Sequence, residues 1–189
     1  NERYFYSFLI LSLIVLLLIN QPDLGQTLLL VLTWITIIFV SGFNMIFLTI
    51  FGFSFLLIMS LLIFFFRNKF GYIFLRIQTF IDPKTGDNFQ SQKALDAINQ
   101  GGLTGQGMGE GILKDKVPEA HTDYIIAVIS EEFGAIFILF IVTIFLFIGY
   151  RVFNKVLLEQ EKFIKLVLVG LVSLLIIQMF IHVGVNIRL

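Results

Sequence analysis

Four carboxylates stand where a carboxylate is expensive. Asp23 lies between two long apolar runs, Asp123 opens another, and Glu131 and Glu132 follow about two turns inside it. An ionisable group at membrane depth costs about 2.5–3.5 kcal/mol on insertion scales, so each is a candidate for proton transfer or substrate binding. Asp23 and Asp123 have a structural alternative, the capping of a helix amino end, where a carboxylate is stabilised by about 0.3–1 kcal/mol. For Glu131 and Glu132 the alternative is pairing with an Arg or His of another helix. Adjacent helical residues point about 100° apart, so at most one of the two faces a cavity squarely.

A second constellation is the run Gly105-Gln-Gly-Met-Gly-Glu-Gly111. Consecutive N–H groups in such a backbone can hold a phosphate. No strand precedes the run and no Gly-Lys-Ser/Thr follows it, which excludes a Rossmann or Walker loop. The competing reading is a flexible lid or close backbone packing. His121 has no second imidazole at metal-ligand spacing, so it reads as a hydrogen-bonding loop residue rather than a zinc ligand. Cysteine is absent, which removes disulfides, thiolate metal sites and thiol nucleophiles.

The elements that must position these residues are set by composition. Of 189 residues, 58% are hydrophobic, 23 are Phe and only 14% are charged; the mean hydropathy is +0.95. That composition excludes a water-soluble globular domain and points to lipid as solvent. Thirteen basic residues balance thirteen acidic ones, so no charge excess points to nucleic acid. A spanning helix needs about twenty mostly apolar residues. Five segments approach or meet that length: 4–20, 24–40, 45–66, 124–150 and 163–189. Gln21-Pro22-Asp23 and Ser41-Gly42-Phe43-Asn44 read as tight turns between the first three.

Residues 67–122 differ, holding seven of the thirteen basic residues and eight of the fifteen glycines. Residues 67–76 mix cations with aromatics, as at a headgroup layer, and 82–87 form a turn. Residues 90–99 are expected to form a short helix stopped at Gly101. The glycine-rich stretch after it is expected to be mobile until substrate or partner orders it. The connection carrying Arg151, Lys155, Lys162 and Lys165 is assigned to the cytoplasm by the positive-inside rule, which puts the long loop outside. The expected fold is therefore an all-α polytopic membrane helix bundle. Its parts are three transmembrane helices in 1–66, a large extracytoplasmic loop in 67–122 and two transmembrane helices in 123–189. The chain begins at Asn1 without a leader-like segment and stops inside an apolar run, as expected of an internal piece of a longer chain.

An ordered series of motifs carries a resemblance. Gln21-Pro-Asp-Leu-Gly25, Phe80-Ile-Asp-Pro83, residues 90–98 with Gly101-Gly102, Gly105-Gln-Gly-Met-Gly109, Lys114 and the stretch from Pro118-Glu-Ala-His-Thr-Asp123 to Glu131-Glu-Phe-Gly134 resemble the FtsW/RodA/SpoVE (SEDS) family. The likeness spans essentially the whole chain and is nearer the division branch, FtsW, than the elongation branch, RodA. The closing Val183-Gly-Val-Asn-Ile-Arg-Leu189 is similar to the family's Asn-Ile-Gly stretch, with Arg188 where glycine is usual.

The resemblance implies ten spanning helices, of which this piece would hold the fifth to ninth. It also implies a peptidoglycan glycosyltransferase that polymerises lipid II at the bacterial inner membrane, at the division site, with a class B penicillin-binding protein transpeptidase and other division proteins as partners. Such a reaction needs a carboxylate base at the outer leaflet, cations or a divalent metal (Mg or Mn) for the departing polyprenyl pyrophosphate, and an apolar groove for the lipid tail. No organic cofactor is expected. Asp123 matches the family's essential acid and is the expected base, with Glu119 or Asp23 next in order. Lys114 and Arg76 are the candidates for pyrophosphate contact, with anchoring to anionic lipid as their alternative. Glu119, His121, Asp23, Gly107 and Gly109 complete the candidate substrate-binding set. A lipid II flippase would place charges along a path through the bundle, whereas here most lie at its faces. A non-catalytic division scaffold would leave Asp123 dispensable. Residues 1–189 alone are expected to be inactive.

Overall fold

The computed structural model describes residues 2–21, 23–44, 46, 49–50, 52–54, 57, 60, 89–111 and 123–187. Among these the protein is helical with no strand: α1 (Glu2–Asn20), α2 (Leu24–Val40), α3 (Phe89–Gly101), α4 (Ile125–Leu158) and α5 (Lys162–Ile187). The described residues between 46 and 60 are also helical. Expectations for most of the 45–66 span, residues 67–76, the turn 82–87, and Arg76, Lys114, Glu119, His121 and Arg188 lie outside the described residues. The chain divides into two compact units, Asn1–Gly86 with Gln160–Gly170, and Asp87–Glu159 with Leu171–Leu189.

In the first unit α1 and α2 form an antiparallel hairpin. Leu11, Val15 and Ile19 are buried against Leu24, Leu30, Val31 and Trp34. The Trp34 indole N–H donates to Ser7 Oγ at 2.8 Å, and the rings of Tyr4 and Phe43 lie 4.6 Å apart. A half-buried indole in an apolar hairpin gains from such a partner, because its donor has little access to water. The second turn closes with Gly42 at φ 83, and Asn44 Oδ1 accepts from the Ile46 N–H at 3.0 Å.

In the second unit α3 packs its small face, Ala94 and Ala97, against Tyr124 and Ala127 at the start of α4. α4 and α5 are 34 and 26 residues long. At 1.5 Å per residue each exceeds the roughly 30 Å of a hydrocarbon core. Only 6% of the most apolar window of each is buried inside the protein. These are therefore not the core helices of a soluble fold. Leu139, Phe140 and Leu171, all about 60% exposed, present a surface that only lipid or other apolar helices can cover. This is a membrane protein.

The sequence alone ends the fourth apolar segment at Tyr150. The helix instead continues to Leu158, leaving only residues 159–161 as the link to α5. No Gly or Pro interrupts 151–158, and Lys155 stands in the last turn, where a cation complements the carbonyl end of the helix dipole.

Candidate functional site

The glycine run and the carboxylate pair prove to be halves of one structure. Gly134 has φ 81 and ψ 170 inside α4, a combination open essentially to glycine alone. The helix is broken there. In an unbroken helix the N–H groups of Ala135 and Ile136 would donate to the carbonyls of Glu131 and Glu132. Instead Ala135 N–H donates to Gly102 O at 2.9 Å and Ile136 N–H to Leu103 O at 3.3 Å. The carbonyls of Glu131 and Glu132 accept from Gln106 N–H and Gly107 N–H at 2.9 and 3.0 Å. Two helix bonds are thus exchanged for four bonds to the loop, so neither side of the break leaves orphan groups in an apolar setting.

Contact this close excludes side chains on both partners. A Cβ on Gly105 would collide with Glu132 O, one on Gly134 with Leu103 O, and one on Gly101 with Ser130 O. The arrangement continues outward. Glu132 Oε1 accepts from Gly109 N–H at 3.3 Å, and the fully buried Glu131 side chain lies against Gly111. The two glutamates do part as their helical spacing requires, Glu131 buried and Glu132 half-buried.

The loop expected to be mobile is therefore tied down between residues 101 and 109. The entropy of ordering glycines is offset by bonds to helix groups that the break would otherwise leave unpaired. Gly107 and Gly109, candidates for holding a phosphate, have their N–H groups directed to Glu132. In hydrogen exchange, the amides of Gln106, Gly107 and Ala135 are expected to be protected well beyond that of Met108, which is 78% exposed. Uniformly fast exchange across 102–109 would contradict the docked loop.

Asp123 sits one residue before the N-cap of α4. That cap is Tyr124, and its side chain makes no capping bond. The Asp123 carboxylate is exposed and has no hydrogen bond or ion pair among the described residues, whereas its backbone carbonyl accepts from Asn186 Nδ2 at 2.8 Å. The capping alternative raised for Asp123 is thus not what the structure shows. Below this turn a cleft of about 390 Å³ opens between α4 and α5, lined by Ile126, Ile129, Phe145 and Met179, with Gln178 and His182 as its polar members.

Asp23 belongs to the first unit and does cap a helix. Its Oδ1 accepts from Gln26 N–H at 2.9 Å, closing the amino end of α2. Asp23→Ala is expected to lower stability by about 1 kcal/mol and Asp23→Ser to restore most of it. Thermal unfolding in detergent measures this, and an undiminished melting temperature in the alanine variant would contradict the cap. Among the described residues no three His, Cys, Asp or Glu side chains converge into a metal site. Asn186 escaped the search for costly residues because it is uncharged. Its signal was an amide near the end of the apolar run of α5.

Comparison with known proteins settles the family. Residues 1–189 match the FtsW/RodA/SpoVE family, described as "Cell cycle protein". The chain belongs to the FtsW/RodA/SpoVE family. It is 33% identical over 191 aligned residues to a protein of Caulobacter vibrioides named "Probable peptidoglycan glycosyltransferase FtsW", covering 97% of this chain and 46% of that protein. A protein of the same name from Geobacter sulfurreducens is 34% identical over 182 residues, 93% of this chain and 47% of its own length. One from Haemophilus ducreyi is 38% identical over 148 residues, covering 75% of this chain and 36% of that protein. The chain thus spans about half the length, or less, of the curated relatives it matches. Gly101-Gly102, Gly105–Gly109 and Glu131–Gly134, stretches that carry the resemblance, meet in one structure: the docked loop and the break in α4.

Proposed function

We propose that the full-length protein is a peptidoglycan glycosyltransferase that polymerises lipid II into glycan strands during cell division. What carries the reading is the match of nearly the whole chain to relatives bearing that activity in their names. The geometry agrees with its chemistry. The C4 hydroxyl of one lipid-linked disaccharide attacks the anomeric carbon of another. A new C–O bond forms, the bond to pyrophosphate breaks, the hydroxyl proton passes to Asp123, and polyprenyl pyrophosphate leaves with the bonding pair. A carboxylate exposed at the mouth of an apolar helix and uncommitted to a cap is available for that transfer.

In this reading Lys114 and Arg76 neutralise the departing pyrophosphate, and Glu119 and His121 stand just before the base in the sequence. The protein spans the inner membrane several times at the division site, with the 67–122 loop outside. It works beside a class B penicillin-binding protein. Full-length protein reconstituted with that transpeptidase and labelled lipid II is expected to yield glycan ladders. Movement of lipid II across the vesicle membrane without polymer would instead identify a flippase, and neither activity would leave a scaffold. Replacing Lys114 or Arg76 by Gln is expected to slow polymerisation about tenfold or more while leaving membrane insertion intact. Parallel loss of insertion and activity would assign these cations to lipid anchoring.

A further inference from the structure

We propose that Asn186 is a positioning residue for Asp123, a step that rests on Asp123 being the general base. Asn186 is fully buried near the end of α5, and its three side-chain hydrogen bonds all go to backbone. Oδ1 accepts from Ala127 N–H at 2.9 Å, and Nδ2 donates to Asp123 O and to His182 O, both at 2.8 Å. The pattern admits one amide orientation, because the flipped amide would set Nδ2 against an N–H and Oδ1 against two carbonyls.

Asn186 therefore grips α4 on both sides of Tyr124. Ala127 N–H, a first-turn donor of α4, reaches Tyr124 O at 3.0 Å and is shared with Asn186 Oδ1, an acceptor brought from another helix. The second bond fixes the peptide of residue 123. Since the Asp123 carboxylate makes no hydrogen bond or ion pair among the described residues, its direction follows from the backbone that Asn186 holds. A base must stay within about 0.5 Å of productive geometry, so loosening this turn lowers the rate of the chemical step while the groups that bind substrate remain.

The test uses the full-length protein with labelled lipid II, comparing Asp123→Asn, Asn186→Ala and the double variant. Rates are normalised to folded protein and followed long enough to read the residual activity. Asn186→Ala is expected to lower kcat about tenfold to a hundredfold with KM within about twofold. The double variant is expected to be no slower than Asp123→Asn alone, because a residue that acts through Asp123 has nothing left to position. Should Asn186→Ala not accumulate, Asn186→Ser carries the same test, since its hydroxyl reaches back to His182 O but not across to Asp123.

Parent-like kcat in the Asn186 variants beside a slow Asp123→Asn overturns the positioning role and leaves the base in place. Multiplicative loss in the double variant, or failure of both Asn186 variants to fold, assigns Asn186 to structure alone and also overturns it. Parent-like polymerisation by Asp123→Asn removes the base itself, and this inference with it.

Discussion

Asp123→Asn in the full-length protein is expected to slow glycan polymerisation at least about a hundredfold, the usual scale for loss of a general base. The substitution is close to isosteric and removes the ability to take the acceptor proton. Its structural cost is small for reasons visible in the local geometry. The carboxylate is exposed and makes no hydrogen bond among the described residues, the N-cap of α4 is Tyr124, and the bond to Asn186 uses the backbone carbonyl that asparagine retains. Folding and association with the transpeptidase should survive, so the loss should fall on kcat. The measurement is polymer formed per folded molecule from labelled lipid II. Near-parent activity would transfer the base role to Glu119, or to Asp23 at the cost of its capping assignment.

The apolar helices at 2–20, 24–40, 125–158 and 162–187, the short helix before the glycine run and the turn at 41–44 were legible because each is encoded locally. Apolar length reports a span, a Gly after a polar helix reports its end, and Gly42 with Asn44 reports a turn. The broken helix was not legible. A single glycine such as Gly134 is tolerated inside an apolar helix at roughly 1 kcal/mol, so composition carries no sign of a break. Its cause lies about thirty residues upstream, where a loop read by itself resembles a phosphate cradle or a mobile lid. Only the pairing of Gln106 and Gly107 with Glu131 and Glu132 distinguishes packing from both, and pairing between distant segments is not written in either of them. Asn186 was missed for a related reason. Searching for expensive residues finds charges, while a neutral amide becomes informative only when its three partners are seen.

Gly134→Ala is the most severe test of that pairing. Its φ and ψ lie in a region essentially closed to residues with a Cβ, which alone costs about 1–3 kcal/mol. The added methyl would also meet Leu103 O and come within 2.5 Å of Gly105 N, two backbone atoms that cannot turn aside as a flexible side chain could. The segment must then either close into continuous helix or hold the loop away. Either course removes bonds from Gly102, Leu103, Gln106 and Gly107, each worth about 0.5–1.5 kcal/mol. The expected destabilisation is about 3 kcal/mol or more, with loss of exchange protection at Gln106 and Gly107. Gly52→Ala is the matched control. Gly52 is helical, and among the described residues nothing lies within 4 Å of its added Cβ, so that change should be neutral or stabilising by about 0.5–1 kcal/mol. The control also separates a local collision from a general intolerance of added methyls in an apolar helix. If Gly134→Ala keeps parent-like unfolding and protects the Gln106 amide, the loop does not hold the break in α4. The glycine run is then free to act as the anion-binding segment its sequence suggests.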